Sequence, residues 1–170
     1  MDITKLSAGK NPPEEVNAFI EIPQGSHIKY ELDEESGIII VDRFSYTSMP
    51  YPFNYGFVPQ THAEDGDPID ILVVSSYPVS SGCALPVRPI GMLEMEDEEG
   101  IDTKIIAVPT KKVDPFMEHI NEIKDLPASM KSKIKHFFDH YKELEPNKWV
   151  KTNNFLPKEQ AFEAIRKAMK

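Results

Sequence analysis

The chain has 170 residues, 40% apolar and 28% charged, which suits one globular domain, 1–170, with a full hydrophobic core. Its 19 basic against 28 acidic residues leave a net charge of −9, which argues against bulk electrostatic binding to nucleic acid or to an anionic membrane. No apolar run approaches the ~20 residues of a bilayer span, MDITKLSAGK has no apolar signal core, and the lone Cys83 excludes an intramolecular disulfide, so a cytoplasmic location is expected.

Fifteen prolines fall mostly between short apolar runs, the punctuation of many short strands and tight turns. In chain order the expected strands are Ala18–Ile22, Ile28–Leu32, Ile38–Val41, Ile69–Val74, Val87–Met95 and Thr103–Val108. Hairpin turns are expected at Glu34–Gly37 and Glu96–Gly100, and Tyr51–Gly56 reads as an aromatic loop between prolines. A helical piece is expected around Pro115–Ile123. A longer helix over about 127–144 follows from Met130, Ile134, Phe137, Tyr141 and Leu144, spaced by fours and threes on one face. A C-terminal helix over about 157–169 turns Phe162, Ile165 and Met169 inward. The sum is a mainly β chain with α-helices packed on a closed or partly closed barrel.

A negatively charged chain holds an anionic substrate through local cations, bound metals or both. Asp65-Gly66-Asp67-Pro68-Ile69-Asp70 places three carboxylates in six residues. Its glycine and proline favour a turn, so the carboxylates converge. Hard divalent cations take oxygen ligands of this kind, and the apolar strand that follows gives the turn a rigid base. Without that context the same residues read as a solvated acidic turn. A calcium EF-hand loop fits poorly, because its glycine position is Asp70. Asp102 and Lys104 lie two apart on an expected strand and share a face, as a metal ligand with its charge balance would.

Lys29 and Glu31 share one face of their strand, and across the turn the return strand reaches Arg43. These residues read either as an exposed ion pair of little worth or as a phosphate clamp, in which arginine forks onto two oxygens and lysine acts as a point charge. Tyr141 falls on the apolar stripe of the long helix, from which a tyrosine can bury its ring and still aim its hydroxyl into a site; Lys142 flanks it. His136 and His140 are one helical turn apart, but Phe137 stands where a zinc protease needs glutamate, so a surface or subunit-contact role is expected. Trp149 is expected to pack.

Taken together these segments resemble the family I soluble inorganic pyrophosphatases of bacterial type. The acidic stretch fits the family pattern D-(S/G)-D-P-(I/V)-D, and Ile20–Pro23, Lys29–Glu31, Val41–Arg43, Tyr51–Gly56, Asp97, Asp102–Lys104 and His136–Lys142 also match. The resemblance implies an OB-like five-stranded β-barrel flanked by helices, a homohexamer, and several Mg²⁺ ions per site, with Mn²⁺ or Zn²⁺ as substitutes. It implies that Asp65, Asp70 and Asp102 hold the principal metal, that Asp97 shares a second with Asp102, and that Glu21 and Glu31 serve outer ions. Lys29, Arg43, Tyr55, Lys104, Tyr141 and Lys142 would contact diphosphate or orient its ligands, with phosphate as product. Asp67 would be the general base for in-line attack by a metal-activated water. Two other classes stand beside this reading. One is a metal-dependent phosphohydrolase acting on nucleotides or phosphoesters. The other is an OB-type oligonucleotide-binding module, which the acidic charge disfavours.

Overall fold

The computed structural model describes residues 3–33, 35–63 and 66–169. The strands are β1 (Val16–Ile22), β2 (Ile28–Asp33), β3 (Ile38–Phe44), β4 (Asn54–Phe57), β5 (Asp70–Val73), β6 (Cys83–Asp97), β7 (Gly100–Ile101), β8 (Lys104–Pro109) and β9 (Val150–Pro157). The helices are α1 (Ala128–His140) and α2 (Lys158–Ala168), with 3-10 turns at Ile3–Lys5, Pro115–Met117 and Ile123–Asp125. None of them is long and apolar enough to cross a membrane.

Five strands close a ring. β1 pairs with β4, β4 with β5, β5 with β8, β8 with β6, and β6 returns to β1; only β5–β8 is parallel. This is the expected OB-like barrel. β6 makes closure possible. At fifteen residues it pairs along its length with β1, β8 and β9, and at its tip with β7. Its Pro89 sits at a register shift, where a missing N–H costs no ladder bond. β2 and β3 form a separate two-stranded ribbon.

The barrel strands are buried on both faces, so their sequences are continuous apolar runs rather than alternating ones. Ile71, Val73, Ile105 and Ala107 pack with Ala161, Ile165 and Ala168 of α2. Leu72, Val74, Ile106 and Val108 pack with Ile134, Phe137 and Phe138 of α1. β1 contributes to both clusters through an irregularity between Ile20 and Ile22. Ile20 therefore lies on the α2 side and Ile22 on the α1 side, and Glu21 is re-aimed between them. Opposite this point Gly56 is obligatory: a Cβ there would lie 1.8 Å from the Phe19 carbonyl oxygen.

Several expectations are corrected. The long helix stops at His140, four residues short of Leu144. The chain tightens through i→i+3 bonds from Glu143 to His140 and from Glu145 to Lys142, ahead of Pro146, which disfavours helix in the residue before it. Leu144 is therefore exposed rather than on the packed stripe. In α2, Met169 is exposed and Ala161 and Ala168 take the inward places. Asn54–Phe57 is a strand rather than a loop. Buried Asn54 holds it by accepting N–H bonds from Gln24 and Val79 and donating to the Ser75 hydroxyl. Trp149 is half-exposed, not core. Of the turn expected at Glu34–Gly37, Glu34 lies outside the described residues, while Gly37 closes onto Asp33 O at 2.7 Å.

Candidate active site

The parallel pairing of β5 with β8 starts both strands at the same end of the barrel. Its register, Ile71 opposite Ile105, sets Asp70 beside Lys104. Lys104 is 3% exposed, and its ammonium donates both to Asp70 and, at 2.5 Å, to Asp102. Asp70 and Asp102, far apart in sequence, are thus joined through one cation. The C-terminal tip of β6 brings Asp97 to the same place, where it accepts from Lys142 Nζ at 2.9 Å. Glu21 accepts the Leu32 N–H at 2.8 Å, linking β1 to the ribbon.

The ribbon adds cations. Lys29 lies directly opposite Arg43, and a bulge beside this pair leaves Asp42 between them. Asp42 accepts from Arg43 Nη1 at 2.9 Å and lies 3.2 Å from Lys29 Nζ, which also pairs with Glu31. Arg43 Nε approaches Glu145 at 3.4 Å. The neighbouring aromatic rings are mutually packed: Tyr51 lies 5.6 Å from Tyr55, and Tyr141 lies 5.3 Å from Phe137 and 5.4 Å edge-on to Phe138. Tyr141 thus buries its ring in the α1 cluster while lining the site, the dual role the sequence allowed.

These groups surround one cavity of about 560 Å³. Its lining includes Glu21, Lys29, Glu31, Arg43, Tyr55, Asp67, Asp70, Asp97, Asp102, Lys104, Tyr141 and Lys142, which are all the expected site residues except one. The exception, Asp65, lies outside the described residues. Tyr51, Glu99 and Lys148 also line the cavity and were not among the expected site residues. Tyr51 had a signal in its aromatic loop. Glu99 fell within the hairpin turn expected at Glu96–Gly100, and Lys148 had none. Asp102 and Lys104 meet as foreseen, although Asp102 precedes β8 rather than lying within it. His136 and His140 are elsewhere; His140 Nδ1 lies 2.8 Å from Glu143 Oε2.

Burial and crowding set the protonation of the site. Burial pushes the Glu21 carboxyl up to about 7, helped by the charges of Asp70 and Glu31 and opposed by the Leu32 N–H bond. Burial also raises the Asp102 carboxyl, against the pull of Lys104. At Asp97 burial acts upward but is outweighed by hydrogen bonds from Lys142 and the Glu99 N–H, leaving the carboxyl below its ordinary value. Burial works against the Lys104 charge, yet Asp70 and Asp102 overcome it and the ammonium is held charged. Burial raises the phenols of Tyr51, Tyr55 and Tyr141, so all three remain protonated donors at neutral pH.

Among the described residues no three ligating side chains are gathered at metal-binding distance as the chain stands, with Lys104 lying between Asp70 and Asp102. The chemistry of the donor set nonetheless fits a hard divalent cation. Seven described carboxylates and five cationic side chains line the cavity, and every carboxylate offers oxygen alone. The excess of negative charge, and carboxyls that burial drives toward protonation, are what added cations would relieve.

The family model described as inorganic pyrophosphatase matches residues 18–170. The inorganic pyrophosphatase of Aquifex pyrophilus is 58% identical over 169 residues, covering 99% of this chain and 96% of its own. That of Campylobacter jejuni is 49% identical over the whole of this chain and 98% of its own. The crystal structure of inorganic pyrophosphatase from Thermus thermophilus superposes with a TM-score of 0.95 at 43% identity, covering 99% of this chain and 97% of that one. By model, sequence and fold alike, the chain belongs to the inorganic pyrophosphatase family.

Proposed function

We propose that this chain hydrolyses inorganic diphosphate to two phosphates with the help of several divalent cations, Mg²⁺ first among them, in the cavity at the end of the barrel. The observation that carries the reading is the convergence of carboxylates from β1, β2, β5, β6 and the β7–β8 link on the cavity that also receives Lys29, Arg43, Lys104 and Lys142. A polyanion is bound by such cations only if the carboxylates are themselves neutralised.

Asp65, Asp70 and Asp102 would hold the principal cation, Asp97 a second with Asp102, and Glu21 and Glu31 outer ions. When bound, the cations supply charge neutralisation and acidify water from its bulk pKa of ~15.7 toward neutrality. The chain does the rest. Lys29 and Arg43 grip the phosphoryl oxygens, with Lys142 and the protonated Tyr55 and Tyr141 hydroxyls donating further bonds. Lys104 holds Asp70 and Asp102 in place. Asp67, exposed at the cavity rim, accepts at a carboxylate oxygen the proton of the water that attacks phosphorus in line. The P–O bond to the bridging oxygen breaks, and the cationic side chains carry the charge of the departing phosphate. The same reading includes a single domain, a cytoplasmic location and a homohexamer, the last tested by sedimentation.

The decisive assay is phosphate release. Release from diphosphate in Mg²⁺, with none from ATP and none in excess chelator, is the expected result. Equal release from ATP would favour the broader phosphohydrolase reading, and none from either would overturn the enzyme. Because the chain is acidic, salt-titrated oligonucleotide binding is expected to be absent.

A further inference from the structure

The β2–β3 ribbon carries two of the groups proposed to grip substrate, Lys29 and Arg43, and Glu31, proposed to serve an outer ion, yet it stands outside the barrel sheet. Little apolar packing holds β3, since Ile38, Ile40, Val41 and Phe44 are all exposed. On the β2 side Glu21 fastens the ribbon through the Leu32 N–H. On the β3 side the fastening is Glu145, a carboxylate only 12% exposed, 3.4 Å from Arg43 Nε. Its own N–H donates to the Lys142 carbonyl at 2.9 Å, in the turn that carries Tyr141 and Lys142. With Nε facing Glu145 and Nη1 bonded to Asp42, Nη2 has no partner among the described residues.

We propose that Glu145 is a positioning residue for diphosphate: by holding Arg43 Nε it ties the β2–β3 ribbon to the turn bearing Tyr141 and Lys142. The inference rests on the diphosphate reading above. An untethered arginine carries large rotamer entropy that binding must remove, and a carboxylate on Nε removes it beforehand. Glu145 also subtracts positive potential from the site, which acts the other way. The two effects predict opposite results for substrate affinity, so experiment separates them.

Steady-state kinetics with magnesium diphosphate on the full-length protein is the test. Glu145→Ala is expected to raise KM about three- to tenfold with kcat changed less than about twofold, and Glu145→Gln, which keeps the side chain's length and polarity but not the charge facing Nε, to fall between Glu145→Ala and wild type. In the Arg43→Ala background Glu145→Ala is expected to have no further effect, because the tether then has nothing to hold. Should Glu145→Ala fail to fold, Glu145→Thr takes its place. An unchanged or lowered KM in the shortened variants, or effects that add to Arg43→Ala, would overturn the proposal. If the wild-type protein itself releases no phosphate from diphosphate, the functional reading fails first. If it does, and Arg43→Ala raises KM while Glu145→Ala does not, the positioning role alone is lost.

Discussion

Glu21 offers a test of the site that needs no turnover. Its carboxyl is driven from the ordinary 4.5 to about 7 in the fold, chiefly by burial and secondarily by Asp70 and Glu31. An acid with a raised native pKa binds more protons folded than unfolded between the two values. Its contribution to stability is therefore complete below pH 4.5 and is lost as pH rises through about 7. At ~1.4 kcal/mol per unit, the loss amounts to about 3 kcal/mol. Glu21→Gln keeps an oxygen to accept the Leu32 N–H and has no charge to bury. In urea titrations with chelator present, the variant is expected to match wild type near pH 4.5 within the cost of the substitution. It should then gain about 3 kcal/mol on it by pH 8. Relief of repulsion at Asp70 and Glu31 works in the same direction. Added Mg²⁺ should stabilise wild type more than the variant and shrink the gap. A stability difference that does not change between pH 5 and pH 8 would refute the argument that an uncompensated carboxylate is buried here.

Four further substitutions probe other links. Asp67→Asn should depress kcat by about 10²-fold or more while leaving Mg²⁺ affinity nearly intact, whereas Asp65→Asn should weaken Mg²⁺ binding as well; equal Mg²⁺ affinities by calorimetry would contradict that division of roles. Lys104→Met strips the shared cation from Asp70 and Asp102 and should cost about 3–5 kcal/mol in chelator-treated protein, read from urea midpoints. Gly56→Ala forces a Cβ onto the Phe19 carbonyl oxygen at the β1–β4 junction and should destabilise by several kcal/mol, about 3 or more; a thermal midpoint within about 2 °C of wild type would show that the two strands can separate without loss.

The parts of this molecule that depend on neighbours in sequence were readable without coordinates. Asp67–Asp70 form an acidic approach to a buried strand, Asp102 and Lys104 meet across two residues, and the α1 face of Met130, Ile134, Phe137 and Tyr141 follows from helical spacing, although buried Phe138 beside it does not. Where a segment's state depends on distant partners, its residues misled. Asn54 looks like a loop residue until Gln24, Ser75 and Val79 satisfy its amide. β9 is polar enough to pass for a linker until β6 supplies its ladder.

The sequence by itself determined which chemistry is available: the oxygen donors, the cations beside them, and a chain of short strands with an α-helical end. Tertiary structure decided which of these groups meet, because that depends on ring closure, on the β5–β8 register and on the β1 irregularity that turns Glu21 into the cavity. Glu145 and Lys148 gain their partners only there. Contacts between residues so far apart in the chain leave no local periodicity, since they are fixed by the packing of whole elements and not by the residues on either side.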